Sequence, residues 1–322
     1  MPKTLTIGDA GQKEFVKVFD TLTGKYNRWE VWRDMVTMTA VGISNSVDGR
    51  FAEAREKLYL DSAKKYTREE LLVFSRLFGL MVNRMEEKIE TGLWGDFLGE
   101  LFMGLELGSN LGGQFFTPYH LCLAMARLEI GKGEAVREEI ARHGWASVAD
   151  VACGAGATLI AGAETLRGCG VDYQRDTLFA GQEIDQTTAL MCYIQLSLLG
   201  CAGYVVIGDS LAEPMTGPTL FGEASERCWY TPMYFSDVWA ARRAAKIAAD
   251  AFRGRLSRLD AVRPHCAVFS GKSGEKEKQT EVPEAAPEPP ALPAAEPTGV
   301  RRTGRRRAAP EGQISMFGEG MT

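Results

Sequence analysis

Apolar residues recur every three to four positions through the first third of the chain, which is the spacing of an amphipathic helix. The first such face ends at Gly24 and consists of Phe15, Val16, Val18, Phe19 and Leu22. A longer face spans residues 71–89, between a capping box formed by Thr67 and Glu70 and a stop at Gly92. We therefore predict an all-helical N-terminal domain over residues 1–110, with its tryptophans packed in the core.

Short apolar runs then alternate with helical patterns. The runs at 146–151, 178–182 and 204–207 read as buried strands, and the segments 157–167 and 187–199 read as helices that end at Gly168 and Gly200. Strands that alternate with helices form a parallel sheet with right-handed crossovers. This pattern predicts an α/β fold for residues 111–270. A helix that begins at Thr117 and Pro118 precedes the sheet, and a helix at about 236–259 follows it.

The last part of the chain has a different composition. Residues 281–298 are rich in proline, alanine and glutamate, which cannot form a core, so we predict a disordered tail over residues 271–322. Five arginines follow within seven positions, at 301–307. They are suited to salt-sensitive contacts with phosphates, or they only keep the tail solvated.

Composition excludes several classes of protein. Seven cysteines occur without a Cys-x-x-Cys pair, and the three histidines lie far apart, so neither a disulfide framework nor a metal site is expected. No signal peptide and no apolar run of membrane-spanning length is present. With a net charge of −5, there is no overall basic field. We expect a cytoplasmic protein without a membrane partner.

The stretch 150–156, Asp-Val-Ala-Cys-Gly-Ala-Gly, is the first candidate for chemistry. It joins a predicted strand to a predicted helix. In such a turn the glycines let the backbone approach a ligand closely, and the helix start offers free N–H groups. A tight strand-to-helix connection without a ligand is the alternative.

Acidic residues stand at the end of each predicted strand, at Asp150, Glu183 and Asp209. Ligands of parallel sheets bind at the carboxyl ends of the strands, and the acid after the second strand is placed to accept hydrogen bonds from a ribose diol. Three carboxylates on one edge suit a cationic or hydroxyl-rich ligand. Ion pairing with lysine or arginine is the alternative for each of them.

Four strings in this order resemble the gamma-class adenine-N6 DNA methyltransferases, in particular the modification subunit of type I restriction systems. They lie at residues 113–118 (Gly-Gln-Phe-Phe-Thr-Pro), 150–156, 181–185 (Gly-Gln-Glu-Ile-Asp) and 208–211 (Gly-Asp-Ser-Leu). The resemblance implies a Rossmann-like methyltransferase sheet, S-adenosylmethionine as cofactor and DNA as substrate. By resemblance, Glu183 holds the ribose and Asp209 the adenine amine of the cofactor. The remaining cofactor-binding residues that it implies are Phe116, Thr117, Pro118, Asp150, Cys153, Gly154 and Gly156.

The family's catalytic motif is Asn, Asp or Ser, then Pro-Pro, then Tyr or Phe, and the chain departs from it. At the corresponding place stands Thr231-Pro232-Met233-Tyr234. The resemblance assigns Thr231 and the Pro232 carbonyl to the target amine, and Tyr234 to the extruded base. A shorter hydroxyl at Thr231 would lower the rate. A non-catalytic scaffold that binds the cofactor is therefore the alternative, and a methyltransferase for another amine is a third reading.

Two partners are implied besides DNA. No segment is left for a target-recognition domain, so we expect that either a separate subunit supplies recognition or the protein does not read sequence. The stretch Gln313-Ile314-Ser315-Met316-Phe317 is similar to the peptides that dock on the bacterial DNA polymerase sliding clamp. In such a peptide the glutamine amide bonds at a pocket rim while the apolar pair fills a cleft.

Overall fold

The computed structural model describes residues 9–108, 116–215, 220–222, 224–262 and 314–315. Of these, the residues up to 247 and the pair 314–315 belong to one compact unit, and residues 248–262 belong to a second. The predicted tail, except for that pair, lies outside the described residues.

Ten α-helices and five strands are formed by the described residues. The helices are α1 (Ala10–Thr23), α2 (Arg28–Asn45), α3 (Ala52–Ala63), α4 (Arg68–Thr91), α5 (Phe97–Gly104), α6 (Tyr119–Ile130), α7 (Glu134–His143), α8 (Ala157–Gly168), α9 (Gln186–Leu198) and α10 (Asp237–Val262). The strands are β1 (Ala146–Asp150), β2 (Thr177–Glu183), β3 (Ala202–Ile207), β4 (Cys228–Tyr230) and β5 (Ile314–Ser315). Short 3₁₀ turns occupy Gly49–Phe51 and Pro232–Phe235.

Local sequence signals fix the ends of the long N-terminal helices. Thr67 and Glu70 form the predicted capping box at the start of α4, and each side chain bonds the other residue's backbone N–H. Gly92 ends α4 in the left-handed conformation, with a φ of 71°. Asp9 and Gln12 form a second capping box at α1. The N-terminal region is therefore helical, as predicted.

Aromatic side chains form the core between the N-terminal helices. Trp32 is fully buried, and its ring lies edge-on to Phe15, Phe19 and Phe102 at centroid distances of 6.0–6.4 Å. The same hydrophobic cluster continues without a break into β1, α8 and α9. The helices and the sheet thus share one core within the first compact unit.

The sheet has the strand order β4-β3-β2-β1-β5. Strands β1, β2 and β3 run parallel, and α8 and α9 are the crossovers between them. The pair 314–315 lies parallel to Val148 and Ala149 at the β1 edge. The helical N-terminal region and this sheet confirm the predicted α/β fold class.

Strand β4 runs antiparallel to β3 at the other edge of the sheet. Tyr230 lies opposite Tyr204, and Cys228 lies opposite Val206. Because of this direction, the chain leaves β4 at the edge where β1, β2 and β3 begin. The segment before Thr231 reads from sequence as a poor buried strand, yet all three residues of β4 are buried.

Two structural features are absent from the part of the chain that is described. None of its helices has the length and apolar character needed to cross a bilayer. Within the same residues, no group of His, Cys, Asp or Glu side chains could hold a metal ion.

Candidate functional site

Two of the three acidic residues end neighbouring parallel strands, and the third follows the next strand. Asp150 is the last residue of β1, opposite Gly181, and Glu183 is the last residue of β2, opposite Ile207. Asp209 comes two residues after the end of β3. The structure thus places all three at the carboxyl edge of the sheet, where open α/β sheets bind their ligands.

Glu183 connects the tips of β1 and β2. Its Oε2 accepts a hydrogen bond from the Gly154 N–H at 3.0 Å, and its Oε1 accepts one from the Asp185 N–H at 3.0 Å. A carboxylate oxygen has two acceptor directions, so each oxygen keeps one for a ligand. The side chain is half-buried, and it can hold the glycine loop and two ligand hydroxyls together.

Asp150 is buried and directed into the protein. Its Oδ1 accepts from the Ala152 N–H at 2.9 Å, and its Oδ2 accepts from the Thr158 hydroxyl. Burial raises the pKa of this carboxyl group, although both hydrogen bonds oppose that shift. Asp150 therefore stabilises the turn between β1 and α8, and its role toward a ligand is to shape the loop.

The glycine loop contains two backbone positions that an L side chain rarely adopts. Gly154 has a φ of 52° and Gly156 a φ of 98°. A Cβ at Gly156 would lie 2.8 Å from the Cys192 sulfur, and one at Gly154 would lie 3.4 Å from the Phe116 ring. Both glycines are therefore needed for the shape of the loop and for its packing on α9 and Phe116.

Cys153 lies within this loop and is 5% exposed. Its N–H donates to the Gln182 carbonyl at 2.9 Å, which joins the loop to β2. A hydrogen bond with Cys192 and burial together raise the pKa of its thiol well above the usual range. The thiol is therefore neutral near physiological pH and is not suited to act as a nucleophile.

The segment before α6 contributes one aromatic ring to the site. Phe116 is half-buried between Gly154 and Phe102, whose ring centroid lies 5.2 Å from its own. Thr117 and Pro118 are exposed. The helix begins one residue later than predicted, with Pro118 rather than Thr117 at the N-cap, and no side chain accepts a hydrogen bond from the N–H groups of its first turn.

Asp209 is exposed on the loop after β3. Its Oδ1 accepts from the backbone N–H groups of Leu211 at 2.8 Å and Ala212 at 3.3 Å. These two hydrogen bonds fix the direction of the exposed carboxylate through Oδ1. The arrangement suits an acceptor for an amino group of a ligand.

Three exposed aliphatic side chains stand beside the acids, and none of them is among the predicted site residues. Val151 is 48% exposed, Ile184 63% and Leu211 94%. Each follows its acidic residue within two positions, and this repeated acid–aliphatic pattern is the sequence signal that could have identified them. Apolar side chains beside polar acceptors are typical of a site for a planar ring with hydroxyl or amino groups.

The predicted catalytic residues lie at the opposite edge of the sheet. Thr231 follows β4, and its hydroxyl donates to the Cys201 carbonyl at 2.7 Å and accepts from the Gly203 N–H at 3.0 Å. These partners are at the beginning of β3, whereas the acids lie at the carboxyl edge of the sheet, which is about 20 Å away for a strand of this length. The catalytic assignment of Thr231, Pro232 and Tyr234 does not fit this geometry.

Tyr234 is part of the packing at that edge. It is 4% exposed, and its hydroxyl donates to the Leu220 carbonyl at 2.5 Å. The guanidinium of Arg243 lies 4.1 Å from its ring centroid. Burial raises the pKa of Tyr234 to about 12. A ring enclosed in this way cannot stack on an extruded base, so Tyr234 is a structural residue here.

The predicted clamp-docking stretch is described only in part. Ile314 and Ser315 form the short strand β5 beside β1. Gln313, Met316 and Phe317 lie outside the described residues.

Comparisons with known proteins agree with the resemblance found in the sequence. Residues 103–253 match the family model of the N-6 DNA Methylase. The methylase subunit of the type I restriction enzyme MpnII from Mycoplasma pneumoniae is 32% identical over 87 residues, which is 27% of this chain and 14% of that protein. The chain therefore spans only a small part of this relative.

Among solved structures, the chain is similar to the methyltransferase subunit of the type I restriction-modification system from Streptococcus thermophilus. The alignment covers 66% of this chain and 46% of that one, with 17% identity and a TM-score of 0.34. The predicted relationship to the N-6 DNA methylases is confirmed, and it rests on the match of residues 103–253.

Proposed function

We propose, from the N-6 DNA methylase match of residues 103–253, that this chain is an S-adenosylmethionine-dependent adenine-N6 DNA methyltransferase-like protein. The observation that carries the proposal is Glu183, which joins the glycine loop to β2 and keeps an acceptor direction free on each oxygen. A ribose diol presents two donors at the spacing of one carboxylate.

The other residues of this edge fit the rest of the cofactor. Asp209 suits the adenine amine, and the aliphatic side chains of Ile184 and Leu211 suit the faces of the adenine ring. The Phe116 ring beside Gly154 suits the methionine end of the cofactor, with Thr117 and Pro118 next to it. When bound, S-adenosylmethionine supplies an electrophilic methyl group, so no metal is needed for the transfer.

Holding the target adenine is a separate task. An extruded base needs an aromatic surface and hydrogen-bond acceptors beside its amine. Thr231 and Tyr234 lie at the wrong edge of the sheet for this role. We propose that the groups that hold the base come from a partner subunit or from residues outside those described. The methylase subunit from Mycoplasma pneumoniae is, by its name, one subunit of a larger enzyme.

The second candidate is a cofactor-binding scaffold without catalysis of its own. The placement of Thr231 and Tyr234 favours it. Binding of S-adenosylmethionine by isothermal titration, followed by transfer of a labelled methyl group to DNA, separates the two candidates. Transfer to adenine, by the chain alone or with a partner subunit added, supports the enzyme, and binding without transfer in both assays supports the scaffold. If the folded chain does not bind the cofactor at all, both proposals are wrong.

Removing hydrogen bonds at the edge where the parallel strands begin should lower stability but leave cofactor affinity unchanged. We expect Thr231→Val to lower the free energy of unfolding by about 2 kcal/mol, since it leaves the buried Gly203 N–H without its acceptor. Cofactor affinity should change by less than about twofold, because the two edges are too distant to couple. Denaturant unfolding and titration of the same sample test this. A large loss of cofactor affinity with unchanged stability would contradict the placement of Thr231 away from the cofactor edge.

Partners remain proposals. DNA and a separate recognition subunit follow from the family, whereas no comparison supports the sliding clamp. We keep clamp docking as a proposal for Gln313, Ile314, Ser315, Met316 and Phe317, on the strength of the sequence pattern alone.

A further inference from the structure

A buried glutamine on α9 connects the glycine loop to the start of α5. The side chain of Gln195 is fully buried, and its Nε2 donates to the Ala155 carbonyl at 2.8 Å and to Asp96 Oδ1 at 2.7 Å. Its Oε1 accepts from the Leu98 N–H at 3.1 Å. The three partners fix the orientation of the amide, because a flipped amide would place its NH₂ group against the Leu98 N–H.

Asp96 completes this connection as the N-cap of α5. Its Oδ1 also accepts from the Gly99 N–H at 2.8 Å. A Cβ built at Gly99 would lie 1.9 Å from Asp96 Oδ2, so any side chain larger than that of glycine would displace the carboxylate. The position of Asp96 is therefore set by α5 itself, and Gln195 transmits that position to Ala155.

Ala155 lies between the two glycines with positive φ. Its carbonyl is held by Gln195, while the neighbouring Gly154 N–H is held by Glu183. Glycines restrict the backbone less than any other residue, so this loop needs outside contacts to keep one conformation. The cofactor would bind against this loop. A flexible loop would have to become ordered on binding, and the free energy of that ordering would weaken the affinity.

We propose that Gln195 and Asp96 are positioning residues that hold the glycine loop in the conformation that binds the cofactor. The inference rests on the proposed function for its ligand, but the contact itself is independent of that ligand. Neither residue lies in the strings that carry the family resemblance, and Gln195 contacts the glycine loop at the Ala155 carbonyl.

The ionisation of Asp96 makes the inference testable through the pH dependence of cofactor affinity. Burial raises the pKa of Asp96 to about 6, against the opposing hydrogen bonds from Gln195 and Gly99. An ionised carboxylate is a stronger acceptor than a neutral one. The charged and titratable groups that face it are Glu100 on α5, Lys88 on α4, and Tyr119 and Cys122 on α6.

The experiment compares full-length variants by titration with S-adenosylmethionine. Gln195→Met keeps the volume but removes the three hydrogen bonds, and we expect the dissociation constant at pH 7.5 to rise about tenfold or more. Tyr173→Phe is the matched control. It removes a buried hydrogen bond to the Leu199 carbonyl at the far end of α9, and it should change the affinity by less than about twofold.

Asp96→Asn gives the readout that a merely structural role would not produce. The asparagine oxygen can still accept from Gln195 and Gly99, so affinity at pH 7.5 should stay within about threefold of the wild type. The wild type should lose more affinity than this variant between about pH 7.5 and pH 5, because Asp96 gains a proton over this range and the asparagine does not. Parallel profiles in the two proteins would contradict the inference.

Hydrogen exchange separates failure of this inference from failure of the proposed function. Amides of residues 153–157 should exchange faster in Gln195→Met than in Tyr173→Phe, with or without ligand. If the wild type binds no S-adenosylmethionine, the proposed function is wrong, and the exchange result still decides the positioning role. A folded Gln195→Met that binds and exchanges like the wild type overturns the inference. If that variant does not fold, the Asp96→Asn profile decides.

Discussion

Glu183→Gln is expected to weaken S-adenosylmethionine binding by about a hundredfold. Glutamine has one oxygen where the carboxylate has two, so it can accept from the Gly154 N–H or from the Asp185 N–H but not from both. Its amide nitrogen would then face a backbone N–H, and the loop or the tip of β2 would have to move. The ribose hydroxyls would also lose a charged acceptor.

The magnitude follows from the number of contacts involved. Hydrogen bonds to a charged group contribute about 1.5–3 kcal/mol each, and the change removes the charge from two ligand bonds while disturbing the loop. A loss of about 3 kcal/mol corresponds to about a hundredfold change in the dissociation constant. The result is measured by isothermal titration at one pH and ionic strength, beside the wild type.

Glu213→Gln is the matched control for this substitution. Glu213 lies on the loop after β3, and its exposed carboxylate pairs with Arg227. An exposed ion pair contributes little, so affinity should be unchanged. Equal loss of affinity in both variants would show that charge near the edge matters and that the Glu183 contacts do not.

The order of elements could be predicted because its signals are local. Capping residues, glycine stops and apolar periodicity lie within a few positions of the helix or strand that they define. Thr67 with Glu70, and Gly92, are examples. The prediction that Asp150 and Glu183 lie at one edge of the sheet followed from this order of elements, since parallel strands with helical crossovers bring their carboxyl ends to one side. These steps need no knowledge of contacts between distant residues.

The position of β4 could not be predicted for the opposite reason. The pairing of Cys228 and Tyr230 with β3 depends on contacts that no local pattern encodes. One of them is Arg55 on α3, which donates to the Cys228 carbonyl at 2.9 Å and stacks over Trp229 at 4.3 Å. A motif match at residues 231–234 states the residue types but not the edge of the sheet where they end up.

Side-chain direction was the other unforeseen property. Asp150 and Glu183 both end strands, yet Asp150 turns inward to Thr158 while Glu183 remains half-buried at the loop. The Gln195–Asp96 contact joins residues that are 99 positions apart and carry no recognisable pattern. In the site, sequence therefore predicted the candidate residues better than it predicted their partners.

Asp96→Asn is expected to change how stability depends on pH. Burial raises the pKa of Asp96 to about 6 in the folded protein, whereas an unfolded chain has the ordinary value near 4. An acid with a raised folded pKa stabilises the fold while it is protonated. That contribution is complete below the unfolded pKa and is lost as the pH rises through about 6. Asparagine stays neutral and loses nothing over this range.

The free energy of unfolding of the variant, minus that of the wild type, should therefore rise by about 2 kcal/mol between about pH 4 and pH 7.5. Any constant effect of the substitution cancels in this comparison. Denaturant unfolding at several pH values measures it. Asp61→Asn is the control, since the exposed Asp61 has a pKa lowered by its hydrogen bond with Lys64, and its difference should move slightly the other way. A flat difference for Asp96→Asn would show that Asp96 is ionised in the folded protein at no greater cost than in the unfolded chain.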